Sequence, residues 1–87
     1  MWYTYVLYSS EQDKFYIGFT ADLDRRLQEH KRGQTTTTSR MDDAVIIYYE
    51  ACLSELDARD RERSLKSGFG RQYLRLRLNG SIKHLQP

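Results

Sequence analysis

Two strand-like segments near the start of the chain, separated by a short polar turn, restrict the fold more than any other feature of the sequence. Residues 2–9 (WYTYVLYS) and 15–19 (FYIGF) are both rich in aromatic and β-branched side chains. The residues between them, 10–14 (SEQDK), are all polar or charged. Strand-like segments on either side of such a turn predict a β-hairpin at the N-terminus.

The middle of the chain predicts one helix and a third strand. Asp22 and Asp24 favour the start of a helix over residues 22–32, and Gly33 suits its C-cap. The polar residues 34–40 have the composition of a loop. Residues 44–50 (AVIIYYE) form a nearly continuous apolar run, which predicts a strand in the centre of the sheet.

The last third of the chain predicts two more helices. Ser54 begins a capping-box pattern for a helix that continues to Lys66. Residues 68–71 suit either an anion-binding turn or the junction of two helices, and we favour the junction. The next helix covers residues 70–79 and is closed by Gly80, and the tail 81–87 shows no period. We therefore expect an α+β domain over residues 1–80, with a small three-stranded antiparallel sheet flanked by helices in the order ββαβαα.

Length and composition exclude several classes of protein. A chain of 87 residues has room for a single modest core. Its single cysteine, Cys52, cannot form an internal disulfide and is expected to pack as a small apolar residue. There is no apolar run of membrane-spanning length and no signal-peptide pattern, so we expect a cytoplasmic protein.

The charges are distributed unevenly. Residues 1–58 carry 6 basic and 10 acidic side chains, whereas residues 59–87 carry 8 basic and 2 acidic ones. The balance changes from −4 to +6. A basic C-terminal third favours a polyanionic partner such as nucleic acid, although a solvated helical surface has the same composition.

Three chemically versatile side chains are predicted to face the sheet. In a helix that turns about 100° per residue, Arg26 and His30 lie on the same side as Leu23 and Leu27. In the second helix, Glu62 lies between Ala58 and Leu65. A charged group in such a position either lines a hydrated cleft or lies at the edge of the apolar side of the helix, where it is paired or reaches solvent. For Glu62, the alternative is a surface pair with Lys66.

A carboxylate, an arginine, a histidine and the tyrosines of adjacent strands suit phosphodiester hydrolysis. A carboxylate can hold Mg²⁺ together with water and phosphate oxygens. An arginine can stabilise charge on the phosphoryl oxygens, and a tyrosine or histidine can handle the proton of the attacking water.

The spacing of these residues resembles the GIY-YIG nuclease superfamily. The pattern consists of Tyr3-Thr4-Tyr5, ten intervening residues, Tyr16-Ile17-Gly18, and then Leu23, Arg26 and His30, followed by a helical Glu62. The resemblance covers nearly the whole chain. The segment Leu65-Lys66-Ser67-Gly68-Phe69-Gly70-Arg71 is similar to the end of small standalone bacterial members.

The resemblance implies a role for each matching residue. Tyr16 corresponds to the proposed general base or water-orienting tyrosine, and Tyr5 to the tyrosine of the first tripeptide. Arg26 corresponds to the phosphate-stabilising arginine, His30 to a residue near the scissile phosphate, and Glu62 to the ligand of one Mg²⁺ or Mn²⁺ ion. Family enzymes cleave DNA and leave a 5′-phosphate and a 3′-hydroxyl. No small organic cofactor and no membrane are expected, and a partner protein is a possible source of specificity.

Further DNA contacts are expected from polar and basic residues outside the matched motif. The candidates are Thr38, Arg40, Lys66, Arg71 and Arg75. Two departures from the family bear on them: Phe19 replaces a substrate-contacting lysine of some members, and Asp42-Asp43 places acids that would repel DNA.

Two other hypotheses remain open at the level of sequence. One is a nucleic-acid-binding module without significant cleavage. The other is a structural or protein-interaction domain in which Arg26, His30 and Glu62 form an internal polar network. Metal binding that depends on Glu62 would separate the nuclease from the second of these, and DNA cleavage would separate it from the first.

Overall fold

The computed structural model describes residues 1–31 and 43–86. These residues form an α+β fold with a three-stranded antiparallel sheet, which confirms the predicted class and the order ββαβαα. A fourth short helix follows. The elements are β1 (Trp2–Ser9), β2 (Lys14–Thr20), α1 (Leu23–Lys31), β3 (Val45–Cys52), α2 (Glu55–Lys66), α3 (Gly68–Arg77) and α4 (Asn79–Leu85). The predicted C-cap Gly33 lies outside the described residues.

The central strand of the sheet is β1. The strand order is β2-β1-β3, so the prediction that residues 44–50 form the central strand was wrong. In β1 every residue from Thr4 to Ser9 is buried, because this strand has a neighbour on each side and both of its faces are covered. In β3 the exposed residues include Val45 and Tyr49, although the run reads as apolar. Apolar composition therefore did not identify the central strand.

The hairpin turn is tied to the start of β3 by Asp43. Its carboxylate accepts hydrogen bonds from the Ser9 hydroxyl at 2.8 Å, the Ser10 hydroxyl at 3.2 Å and the Glu11 backbone N–H at 2.9 Å. The Glu11 N–H and then the Ser9 hydroxyl hold the pKa of Asp43 below its usual value. Asp43 thus stabilises the hairpin turn, in addition to any repulsion that its charge exerts on DNA.

The main core lies between the sheet and the three C-terminal helices. Val6 and Tyr8, on one face of β1, pack with Leu65 of α2, Leu74 of α3 and Ile82 of α4. This face is the one that strand alternation predicted for Thr4, Val6 and Tyr8. Thr4 also faces the helices, because its hydroxyl donates to the Ala58 carbonyl at 2.9 Å.

The helix boundaries near the C-terminus differ from the prediction. The junction favoured for residues 68–71 is present: Ser67 ends α2, and its hydroxyl accepts from the Gly70 N–H at 3.1 Å to cap α3. The helix predicted over residues 70–79 instead covers Gly68–Arg77, and Gly80 lies inside α4 rather than ending a helix. Residues 81–85, which showed no period, are helical because Ile82 enters the core. One buried residue is too few to produce a recognisable period.

A membrane-spanning helix is not found in residues 1–31 or 43–86, whose helices are all too short and too polar to cross a bilayer.

Candidate active site

A cleft of about 730 Å³ runs along β2, the edge strand of the sheet. Residues 15–20 of this strand all line it. Because successive side chains of a strand point to opposite faces, the cleft wraps around the free edge of the sheet. Helices α1, α2 and α3 complete its wall. The polar residues that line it are Tyr5, Tyr16, Thr20, Arg26, Glu62, Lys66 and Arg71.

The cleft brings together four of the five residues that the sequence singled out for catalysis. Tyr5 comes from β1, Tyr16 from β2, Arg26 from α1 and Glu62 from α2. These residues are up to 57 positions apart in the chain, counted from Tyr5 to Glu62. Glu62 therefore opens into the same cleft as the two tyrosines, although α2 packs on the Thr4 face of the sheet and Tyr5 and Tyr16 lie on the other face. The cleft joins the two faces around β2.

Tyr5 lies across Gly18, its direct partner in the β1–β2 ladder. A Cβ atom added to Gly18 would overlap the Tyr5 hydroxyl and would lie only 2.6 Å from its Cζ atom. Real Cβ atoms do not approach other atoms so closely. Glycine at position 18 therefore leaves free the space that the Tyr5 ring occupies against β2.

Burial makes Tyr5 a poor acid at neutral pH. Only 5% of the residue is exposed, and this burial raises the pKa of its phenol. The Arg26 charge opposes the shift, whereas the Glu62 and Glu29 charges reinforce it. Tyr5 is therefore neutral at pH 7, and its electrostatic coupling to Arg26 and Glu62 reflects their shared cleft.

Arg26 is held by a short ion-pair network on α1. Asp22 precedes the helix and accepts a hydrogen bond from the Arg25 N–H at 3.1 Å, as an N-cap does. Glu29, one turn after Arg25, pairs with Arg25 Nε at 3.2 Å and with Arg26 Nη1 at 3.3 Å. A guanidinium has five N–H donors, so the bond to Glu29 orients Arg26 and leaves donors for a phosphate.

Glu62 both lines the cleft and forms the surface pair that was its alternative interpretation. Its carboxylate lies 3.1 Å from Lys66 Nζ, one helical turn away, and its side chain is 20% exposed. The position follows from α2 itself, because Ala58 and Leu65 on either side of Glu62 are buried against the sheet. A carboxylate at the border of this buried stripe opens into the cleft.

The single carboxylate that the described residues bring to the cleft suits a metal ion that keeps most of its bound water. No group of three metal-ligating side chains occurs among the described residues. Among the described residues that line the cleft, Glu62 is the single carboxylate. Mg²⁺ is commonly bound through one or two carboxylates, with waters and substrate phosphates completing its octahedron. Glu62 is thus a suitable ligand for an ion that binds together with the phosphate.

The remaining predicted residues divide into three groups. Lys66 and Arg71 line the cleft. Arg75 lies in a neighbouring pocket, where its Nη1 atom pairs with Asp13 at 3.0 Å and its guanidinium stacks 5.2 Å from the Phe15 ring centre. His30 belongs to α1, but its side chain lies outside the described part of the structure, as do Thr38 and Arg40 altogether.

Sequence reasoning missed the aromatic side of the cleft. Trp2, Phe15 and Phe19 line it together with the polar groups. Trp2 and Phe19 are also in contact, with ring centres 6.3 Å apart. Strand alternation offered a signal for this pair, because the register places both residues on the same face of the hairpin as Thr4.

The protein is a small α+β domain with a polar and aromatic cleft along its edge strand. The family model described as the GIY-YIG catalytic domain matches residues 1–75 of the 87-residue chain. The chain therefore belongs to the GIY-YIG superfamily, as its motifs indicated, and a nuclease-type function follows at the level of the family. GIY-YIG nucleases generally use divalent metal ions, and DNA is the substrate that the domain suggests. Comparison with curated proteins and with solved structures gave no match.

Proposed function

We propose that this protein is a DNA endonuclease that hydrolyses phosphodiester bonds in the cleft along β2, with one Mg²⁺ or Mn²⁺ ion bound at Glu62. The observation that carries the proposal is the shared cleft of Glu62, Arg26, Tyr5 and Tyr16. The family match supports the reaction class. Action on branched or damaged DNA in repair or recombination is a finer form of the same proposal.

Arg26 binds the scissile phosphate. Its side chain is partly exposed and lines the cleft, and its guanidinium is paired with Glu29. Charge on the non-bridging phosphoryl oxygens increases in the transition state, and a pre-oriented guanidinium stabilises it without reorganisation. Lys66 and Arg71 extend the positive wall of the cleft and bind flanking phosphates.

The two tyrosines have different tasks because their environments differ. Tyr5 is buried and neutral, so it donates a hydrogen bond or orients a neighbour rather than removing a proton. Tyr16 is partly exposed on the edge strand, where it orients the attacking water and assists the transfer of the proton that this water releases. The water oxygen bonds to phosphorus while the bond from phosphorus to O3′ breaks, and the departing O3′ takes up the proton that the water releases, which leaves a 5′-phosphate and a 3′-hydroxyl.

A divalent ion held by Glu62 would supply Lewis-acid stabilisation of the phosphate and would lower the pKa of water at the site. Glu62 is its protein ligand. Because Lys66 lies 3.1 Å from the same carboxylate, metal binding has to compete with, or displace, this ion pair.

The decisive experiment compares Glu62→Gln with Asp60→Asn in a magnesium-dependent cleavage assay. Both changes remove one negative charge from α2, but Asp60 is exposed and does not line the cleft. We expect Glu62→Gln to reduce cleavage of flaps, junctions, duplexes and single strands by at least about 100-fold and Asp60→Asn to leave it unchanged.

Two results would contradict the proposal. Equal losses of cleavage in the two variants would show that cleavage depends on the total charge of α2 and not on the carboxylate in the cleft. Salt-sensitive DNA binding by the wild-type protein without metal-dependent cleavage would support a noncatalytic nucleic-acid-binding module instead.

A further inference from the structure

Two aromatic rings in the cleft have no task in the hydrolysis described above. Trp2 and Phe19 both line the cleft, and their ring planes are inclined at 46° with centres 6.3 Å apart. Both residues are only partly buried. Neither belongs to the main core, whose rings are the buried Tyr8 and the partly buried Phe15 and Tyr48.

The aromatic pair lies close to the proposed metal ligand. Phe19 is opposite Thr4 in the β1–β2 ladder, and the Thr4 hydroxyl donates to the carbonyl of Ala58 on α2. Glu62 follows Ala58 by one helical turn. The pair is therefore on the side of the sheet that α2 covers, beside the carboxylate.

The cleft combines this aromatic surface with positive charge. Arg26, Lys66 and Arg71 line the same space, and its volume of about 730 Å³ is within the usual range for sites that enclose a small molecule or one nucleotide. Aromatic rings that stack on bases, next to cations that follow the backbone, are how proteins bind single-stranded nucleic acid.

A fully paired duplex cannot use such a surface. In a duplex both faces of each base are covered by its neighbours, so a protein ring reaches a base face only where the base is unpaired or turned out of the stack. The backbone contacts of Arg26, Lys66 and Arg71 do not require unpairing. A preference for unpaired DNA would therefore come from the aromatic pair.

We propose that Trp2 and Phe19 stack on an unpaired base next to the scissile phosphate, so that the substrate class is DNA with a single-stranded segment at the cleavage site. The inference rests on the proposed nuclease function and specifies its substrate.

The single tryptophan of the chain makes the binding part of this proposal directly observable. Trp2 is the one tryptophan in the sequence, so intrinsic tryptophan fluorescence reports on the aromatic pair alone. The Glu62→Gln protein is titrated with a short oligothymidine strand, and in parallel with the same strand annealed to its oligoadenosine complement. We expect the single strand to quench Trp2 and the duplex to leave its fluorescence nearly unchanged.

Substitutions at Phe19 test whether the ring itself is needed. Phe19→Leu is expected to weaken single-strand binding by about 5- to 150-fold, the equivalent of ~1–3 kcal/mol for one stacked base, whereas Phe19→Tyr retains it. The matched control is Phe69→Leu, because Phe69 is 88% exposed and does not line the cleft. Thermal unfolding of each variant verifies that it is folded.

The possible failures are distinguishable. Equal quenching by duplex and single strand, or equal affinities for Phe19→Leu and Phe19→Tyr, would overturn the stacking inference. Glu62-dependent cleavage of the intact duplex as efficient as that of the single strand would overturn it too, and would leave the nuclease function standing. If no DNA is cleaved in a Glu62-dependent manner, the proposed function itself is overturned, and the inference with it.

Discussion

Gly18 and Tyr5 show how one residue of the family motif depends on a residue of another strand. The sequence identifies both positions from the spacing of the two tripeptides, but it gives no reason for the glycine. In the structure the reason is steric, because the phenol ring of Tyr5 occupies the space above the Gly18 backbone. The same contact helps to bury Tyr5, and this burial raises its pKa. A small residue in β2 therefore contributes to the burial and to the raised pKa of Tyr5.

Gly18→Ala is accordingly expected to destabilise the protein by about 1–3 kcal/mol, the usual effect of forcing extra volume into a packed site. The added methyl group must displace the Tyr5 ring or separate β1 from β2. Urea unfolding followed by circular dichroism measures the change.

The matched control for this substitution is Gly80→Ala in α4, where an added Cβ meets no atom within 4 Å. In a helix alanine is more favourable than glycine, so this variant should be as stable as the wild type or slightly more stable. Equal destabilisation by both substitutions would argue against the contact between Tyr5 and Gly18.

At the scale of elements, the hairpin turn depends on a residue that follows it by about 30 positions. Asp43 accepts hydrogen bonds from Ser9, Ser10 and Glu11 and joins the start of β3 to the turn. Asp13 contributes from within the turn: it accepts a bond from the Tyr8 hydroxyl at 2.6 Å and has the positive φ of 53° that short turns often require. The turn was predicted from its composition, but these partners were not.

The lowered pKa of Asp43 gives a pH-dependent prediction. Folding favours its deprotonated form, so its contribution to stability is complete above the unfolded pKa near 4 and is lost as the pH falls through the folded value. Asp43→Asn should therefore be less stable than the wild type at pH 7 and nearly as stable at pH 2. Urea unfolding across this range measures the difference.

Ser10→Ala is the control for the hairpin turn. It removes the longest of the three bonds to Asp43, at 3.2 Å, and leaves the carboxylate in place. Its effect should be smaller than that of Asp43→Asn at pH 7. A difference between Asp43→Asn and the wild type that stays constant from pH 7 to pH 2 would show that the charge of Asp43 does not stabilise the turn.

At the scale of the whole molecule, a thin core has to join the sheet to three helices. The chain forms this core without a disulfide, because Cys52 is a free thiol. Its buried cluster includes Ile82, which lies in the segment that the sequence left without a period. Residues at the C-terminal end thus pack against β1, where the chain begins.

Ile82→Ala is expected to destabilise the protein by about 2–5 kcal/mol, because it leaves a cavity in the core between α4 and the sheet. For a domain of this size, such a loss is a large part of the total stability. Lys83→Ala, an exposed change on the same helix, should alter the free energy of unfolding by less than about 0.5 kcal/mol. If both variants unfold at the same urea concentration as the wild type, α4 does not contribute to the core.

The sequence by itself determined the hairpin, the helices α1 and α2, the α+β class and the identity of the motif residues. The elements depend on alternation and on residue types typical of helix ends, which act between residues near one another in the chain, and the motif residues were identified by their resemblance to a family pattern. Ser54 is the N-cap residue of α2, but its side chain makes no capping hydrogen bond. Only the tertiary structure decided that β1 is central, that α4 joins the core, and that Trp2 and Phe19 share a cleft with Glu62. The physical reason is that burial and proximity depend on what packs against a residue from distant parts of the chain, and local composition does not contain that information.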